Sequence, residues 1–421
     1  MTEHPASQLT SQSGQSAVQP EQTAPQESAA QSASSPPQTQ RPEALHNASQ
    51  RSEALPTTEG TAKKQRLEWL DALRGFTMIL VVAFHVSQIG FGEKPKMSSS
   101  LSFFLLFRMP LFFFISGFLA YKAGLLWDLT TFLKLTAKKL RVQIVPTVVF
   151  FFFAMAVLQP KFWPAVEAAW HSPFKGGYWF TIALLYMFLV YYIFAYAESK
   201  ILKYLGRWSW VPILLLFIVS LLLYESCFLP KYFEWAQGHK GGHPNSQFLF
   251  DTSLIKAMEY FPFFVFGNIV RRYWPIAQRV MDSRWFYPVI IVIVIFSALD
   301  VLKWHTLRMA WANLPNTLAK FLLLTIVFMY FRCYQKYFTR FTVIGASLQY
   351  IGRRTLDIYL IHYLFMPNLP GVGQFFHTFR HNFAIDTTLS VIIALIVIGF
   401  SCVTSNILRV SPFFKKWLFG R

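Results

Sequence analysis

From residue 67 onward, apolar residues gather into long runs separated by polar and basic segments. Crossing a hydrocarbon layer of about 30 Å takes roughly 20 residues of α-helix. Runs of this kind lie at approximately 73–91, 101–121, 142–159, 178–197, 211–229, 257–270, 286–302, 315–331, 355–371 and 386–408, the sixth being the shortest. The pattern predicts an all-α polytopic membrane bundle of about ten transmembrane helices. Residues 1–66 are rich in Gln, Ser, Ala and Pro and poor in aromatic and large aliphatic residues, so they cannot bury enough apolar surface to offset chain entropy. A disordered cytosolic tail over 1–66 and a transmembrane domain over 67–421 follow. No basic segment with a short apolar stretch and a small-residue cleavage site opens the chain, and no signal peptide is expected. The sequon Asn47-Ala48-Ser49 has no meaning on a cytosolic tail.

Composition agrees, with 54% hydrophobic, 18% aromatic and 14% charged residues. The net charge of +19 is distributed loop by loop. With the N-terminus inside, roughly 24 Lys and Arg fall on cytosolic connections and about 10 on outer loops, as the positive-inside rule requires. Both termini are then cytosolic. This placement, with no recognition module, argues against nucleic acid and for membrane lipid as the partner of the basic loops. Three cysteines, Cys227, Cys333 and Cys402, lack CxxC spacing, and Cys227 and Cys333 fall near opposite faces, so neither a metal framework nor a bridge between those two is expected.

The chemistry gathers on the first span. Arg74 and His85 are 11 residues apart, which on a helix brings them within about 20° of one face and roughly 16 Å apart along the axis. Ionisable residues inside a membrane default to a functional reading, although His85 can also be read as a bundle histidine bonded to another helix. Asp71 is placed to pair with Arg74. On the second span, Arg108 either snorkels outward or reaches a polar acceptor, and Ser116-Gly117 read first as packing. Residues 130–142 form a basic amphipathic stretch, read either as a helix on the inner surface or as a phosphate site built on Lys138 and Arg141. Gly176-Gly177-Tyr178-Trp179-Phe180 opens the fourth span and fits an outer aromatic belt. In Ile351–His362, Asp357 is one turn from Arg353 and Arg354 as their expected counter-ion, while Tyr359 and His362 share a face.

Taken in order, RLEWLDALRGFTMILVVAFH, FRMPLFFFISGFLAYK, KKLR followed by a proline, YWF and LDIYLIH resemble membrane acyltransferase family 3 over roughly residues 66–410. The most specific element is the arginine, ten residues, histidine pattern. The resemblance implies an integral membrane O-acyltransferase of the bacterial cytoplasmic (inner) membrane. It would move an acyl group, usually acetyl, from cytosolic acyl-CoA to a hydroxyl of a carbohydrate or glycolipid acceptor at the outer face. By the same resemblance His85 is the catalytic histidine and Arg74 its motif partner; Asp71, Arg108, Ser116, Tyr359 and His362 are read from the residues themselves as supporting groups, and Lys138 and Arg141 as the donor-side basic pair. The family often shows Arg-x-x-Arg where this chain has Lys138-Lys139-Leu140-Arg141, which keeps charge but removes one bidentate fork.

The chemistry is coherent on its own terms. A sugar hydroxyl is a poor nucleophile, and a neutral imidazole can accept its proton as it attacks a thioester, for a gain of ~100- to 10,000-fold. No metal is required, and no HExxH or Cys/His ligand spacing appears. A secondary transporter or exporter of a polar envelope precursor is the alternative, but it predicts an internal repeat and paired broken spans that the chain does not show. A non-catalytic scaffold leaves the aligned Arg74 and His85 unexplained. The topology is directly testable. Cysteines placed at Ser99, Ser246 and Thr378 are expected to react with an impermeant thiol reagent added outside intact cells, and protection of all three overturns the orientation.

Overall fold

A computed structural model describes residues 67–93, 99–228, 239–240, 243–244, 247–292, 314–378 and 383–419. The tail expected over residues 1–66 lies outside the described residues, as does most of the seventh expected span. The described residues are mainly helical, and their one strand pairing is a two-residue antiparallel pairing of His239–Lys240 with His243–Pro244. Among the described residues, four helical stretches are long and apolar enough to cross a membrane: Glu68–Gly90, Leu129–Leu158, Trp179–Trp208 and Phe383–Leu408. Shorter apolar helices occupy Phe104–Ala120, Val211–Glu225 and Thr355–Phe365.

Helix α1 (Glu68–His85) carries Glu68 and Asp71 in its first turn, where negative charge complements the helix dipole. It ends in a π turn, Val86–Gly90, directly after His85. Helix α2 is Ser99–Ala120. Helix α3 (Leu129–Lys139) is the predicted basic amphipathic stretch, with Asp128 accepting from the Thr131 amide at its N-cap. It does not stop at the membrane surface. A second π turn, Leu140–Ile144, joins it to α4 (Val145–Leu158), so amphipathic segment and third span are one rod. The widened turn fits Pro146, which brings no amide proton and would crowd the carbonyl one turn back in a regular helix.

After α5 (Phe162–His171), α6 (Trp179–Leu205) and α7 (Val211–Phe228) come α8 (Gln247–Asp251) and α9 (Leu254–Arg272). The sixth span, expected at 257–270, is thus a longer helix. Its hydropathy is diluted by polar ends that are paired: Lys256 with Glu259 at 2.8 Å, and Arg272 with buried Glu198 of α6 through two bonds of 2.6 and 2.7 Å. A bidentate pair of this kind is the form in which a guanidinium tolerates burial.

The ninth expected span is not one helix. Thr355–Ile361 (α12) gives way to a 3-10 turn at His362–Phe365, then to irregular backbone, then to Pro370–Thr378 (α13). Helices α10 (Trp274–Met281) and α11 (Leu314–Cys333) precede this region, and α14 (Phe383–Leu408) follows it. Pro367 and Pro370 bring no amide donors, so the regular ladder fails there. The element still crosses the depth of α1. Arg74 Nη2 donates to Thr355 Oγ1 at 2.9 Å at one end, and the Leu369 amide donates to the Gly90 carbonyl at 2.7 Å at the other.

Two glycine contacts bring helices together. The helix Val343–Arg353 packs on α1 where Gly75 meets the Leu348 carbonyl and Gly352 meets the Asp71 carbonyl. Gly117 of α2 and Gly267 of α9 oppose the Phe264 and Phe114 carbonyls in the same way. Such approach is open only to the smallest residues. Gly352→Val is therefore expected to lose about 1–3 kcal/mol or more, since backbone cannot yield as a side chain can. A thermal melt in detergent compares it with Gly371→Val, where nothing lies within 4 Å; equal melting temperatures would contradict the contact.

Candidate active site

Helices α1, α2, α3, α4, α6, α9 and α12 enclose a cavity of about 1440 Å³. Its wall carries eight Lys and Arg side chains and two carboxylates, Glu259 and Asp357. Both carboxylates are paired, with Lys256 at 2.8 Å and Arg409 at 2.6 Å. The remaining positive field favours an anionic ligand.

Most of that charge lies at one end. Arg74, Lys122, Lys138 and Lys139 cluster closely enough to repel one another, and Arg353 and Arg409 complete the rim. Lys139 Nζ rests on the Phe188 ring, 3.4 Å from its centroid. Lys139 and Lys138 face the cavity, whereas Arg141 is exposed and outside its wall. Lys138 and Arg141, expected to serve one donor site together, therefore do not share the cavity wall. Arg141 lies inside the π turn that joins α3 to α4.

Asp357 is not the counter-ion of Arg353 and Arg354. It accepts from Ser405 Oγ at 2.7 Å and from Arg409 Nη2 at 2.6 Å, both on or just after α14. The helix breaks at Arg354 (φ −114°, ψ 16°), so spacing across that point does not give a common face. Arg353 Nε donates to its own helix at the Gln349 carbonyl, and Arg354 stacks on Tyr350 and bonds Asn406.

The predicted alignment on α1 is present. Arg74 and His85 both line the cavity, and Asp71 lies 3.7 Å from the Arg74 guanidinium. His85 meets groups that the sequence does not bring near it. Its Nε2 is 3.1 Å from the Tyr363 hydroxyl, and its ring centroid is 5.3 Å from that of His362. His85 Nδ1 is buried without a hydrogen-bond partner among the described residues. Fully buried His362 donates from Nδ1 to the carbonyls of Ile358 and Tyr359 at 3.0 and 2.9 Å, which fixes its tautomer with the lone pair on Nε2. His362 is therefore a second-row group behind the cavity wall. It does not line the cavity.

Arg108 does not snorkel. It is 6% exposed, with its guanidinium carbon 3.5 Å from the centroid of the Phe84 ring, and it is within electrostatic range of His85, Tyr260, Tyr363 and Glu259. A ring face holds a cation without neutralising it. Ser116 lines the cavity while its hydroxyl donates to the Phe112 carbonyl at 2.9 Å, and neighbouring Gly117 makes the helix contact.

The Gly176–Phe180 segment is no surface belt. Tyr178 is 1% exposed and donates to the Leu360 carbonyl at 3.0 Å. Tyr359 donates to the Gly177 carbonyl at 2.8 Å and accepts from the Phe180 amide at 3.1 Å. Gly177 adopts φ +99°, and a Cβ there would strike the Tyr363 ring. Just before it, Lys175 is held at φ +48° with Nζ donating to the Phe250 and Trp170 carbonyls. Burial there pushes the Lys175 ammonium below the ordinary lysine range. At this end of the cavity Lys256 lies 4.5 Å from the Phe174 ring centroid, and Trp179 stacks on Tyr260 at 5.6 Å.

Of the site residues named from the sequence, Arg74, His85, Arg108, Ser116, Tyr359 and Lys138 lie on the cavity wall; Tyr363 and Lys139 were not among them. Lys139 was in view within the basic run. Tyr363 is 278 residues from His85 and carries no spacing signal. Among the described residues no group of three or more His, Cys, Asp or Glu is placed to hold a metal ion.

Comparison with known proteins gives one match. No curated protein and no solved structure matches the chain. The family model of the acyltransferase domain does, over residues 67–407, which takes in every cavity residue named above except Arg409. A membrane chain with this cavity and that match is a member of acyltransferase family 3.

Proposed function

We propose that this acyltransferase moves an acyl group, acetyl in the main, from cytosolic acyl-CoA to a hydroxyl of a carbohydrate or glycolipid acceptor at the outer face of a bacterial inner membrane. The observation that carries the reading is one cavity with a cluster of cations at one end and an imidazole about 16 Å deeper along the same helix. The phosphates of a coenzyme A thioester suit the basic end, where Lys138, Lys139 and Arg353 offer charge-assisted hydrogen bonds. Its pantetheine arm then reaches inward along the apolar wall. The acceptor enters from the opposite end, past Lys256, Glu259 and the stacked Trp179 and Tyr260, where aromatic faces suit a sugar ring.

His85 is the general base in this mechanism. As the acceptor oxygen bonds to the thioester carbonyl carbon, negative charge grows on the carbonyl oxygen. Arg108, buried and resting on an aromatic face, supplies the opposing charge. A preorganised donor in a low-dielectric site contributes about 100- to 1,000-fold. Arg74, tied to Thr355 and Asp71, fixes the basic end of α1 against α12.

In proteoliposomes given acetyl-CoA, His85→Ala is expected to lower free-thiol release at least about 100-fold while the melting temperature stays near wild type. Deleting the gene should remove an acyl mass unit from envelope or secreted glycans. Wild-type turnover by folded His85→Ala would falsify the base assignment. Separately, the double change Lys138→Gln and Lys139→Gln should raise KM for acetyl-CoA by about 10- to 100-fold, the worth of one charged hydrogen bond, with kcat little altered. An unchanged KM would leave these lysines as surface charge.

A further inference from the structure

The imidazole of His85 has two nitrogens, and only one can receive a proton from a substrate. Nδ1 is buried with no partner among the described residues, so no acceptor hydroxyl reaches it. Nε2 is available, but the Tyr363 hydroxyl stands 3.1 Å from it. An acceptor must then either displace the phenol or work through it. Displacement is opposed by the packing. The Tyr363 ring lies 4.1 Å from the His362 ring and 5.7 Å from Tyr178, and Gly177 backs onto it where even one methyl group would collide. His362 and Tyr178 are themselves locked by bonds to the carbonyls of Ile358, Tyr359 and Leu360. Tyr363 nonetheless lines the same cavity as His85.

We infer that Tyr363 is a catalytic proton relay between the acceptor hydroxyl and His85 Nε2. The inference rests on the reading of His85 as general base. The acceptor O–H donates to Tyr363 Oη while the Tyr363 O–H donates to Nε2. As the acceptor oxygen bonds to the thioester carbonyl carbon, its proton passes to Tyr363 Oη and the tyrosine proton passes to Nε2. The carbonyl π pair moves to oxygen. On collapse the C–S bond breaks, and the imidazolium proton returns through Tyr363 to the departing thiolate. An ester and a free thiol are formed, with Tyr363 and His85 unchanged. Arg108 lies within electrostatic range of Tyr363 and opposes the charge that passes over the phenol oxygen.

The relay requires His85 to carry its resting proton on Nδ1, with Nε2 accepting from Tyr363. Nitrogen-15 solid-state NMR of histidine-labelled protein in lipid, with the His85 signal assigned through His85→Gln, reads this without any acceptor. A protonated Nδ1 and a hydrogen-bonded, unprotonated Nε2 are expected, and a protonated Nε2 overturns the relay. Tyr363→Phe keeps the ring and removes the hydroxyl. With acetyl-CoA as donor and water as acceptor, its kcat should fall about 100-fold while KM for acetyl-CoA stays within twofold. In mixed H2O and D2O the rate should change from a curved to a linear dependence on deuterium fraction, because one proton in flight replaces two. Full activity in Tyr363→Phe alongside an inactive His85→Ala rejects the relay and keeps the base. Full activity in both rejects the two together.

Discussion

Hydrocarbon offers no hydrogen bonds, so every polar group at membrane depth must be satisfied by the protein or by a water-lined cavity. This constraint organises the molecule. Glu198 and Arg272 close on each other, Asp357 is shared by Ser405 and Arg409, and Ser87 bonds Ser390 across two helices at 2.7 Å. Each of these ties joins elements far apart in sequence. Polar residues that would be costly alone thus become the fasteners of the bundle, alongside glycine contacts that let backbones meet. Two groups without a mutual partner among the described residues, Arg108 on its aromatic face and His85 with Nδ1 unbonded, lie on the cavity wall.

Irregular backbone is tolerated in such a setting only where it is covered by protein or lines a cavity. The break after Ile361 meets that condition. His362 turns inward and takes two carbonyls of the preceding turn, and the following 3-10 turn delivers Tyr363 to His85. A continuous helix from Thr355 to Gly371 would have carried the phenol through a different arc. The break is thus part of how the site is assembled, and Gly177 is its counterpart on the facing segment.

The legible parts of the sequence were those governed by local periodicity. Apolar run length gave the helical class, and the family match bears out the resemblance drawn from the motifs. The common face of Arg74 and His85 followed because α1 is regular over the whole interval between them. Reasoning from spacing failed wherever the helix was not regular. Arg141 fell beside a π turn and off the cavity wall, Asp357 found Arg409 in place of Arg353 and Arg354, and the ninth span broke after Ile361. Burial of Arg108 and Tyr178 was hidden for another reason. Interfacial residues and buried ones have the same composition in a membrane chain, and only tertiary neighbours tell them apart.

The π turn at Val86–Gly90 carries one residue more than the α turn it replaces. Angular position along α1 is therefore counted differently on its two sides. Up to His85 the helix keeps the phase set by its packing on Gly352. Beyond it, an offset on the order of 100° turns the chain so that Ser87 meets Ser390 and the Gly90 carbonyl meets Leu369. The imidazole sits at the boundary between these two phases. Insertions or deletions in the five residues after it reset how the chain leaves the bundle while leaving the arginine and histidine in register.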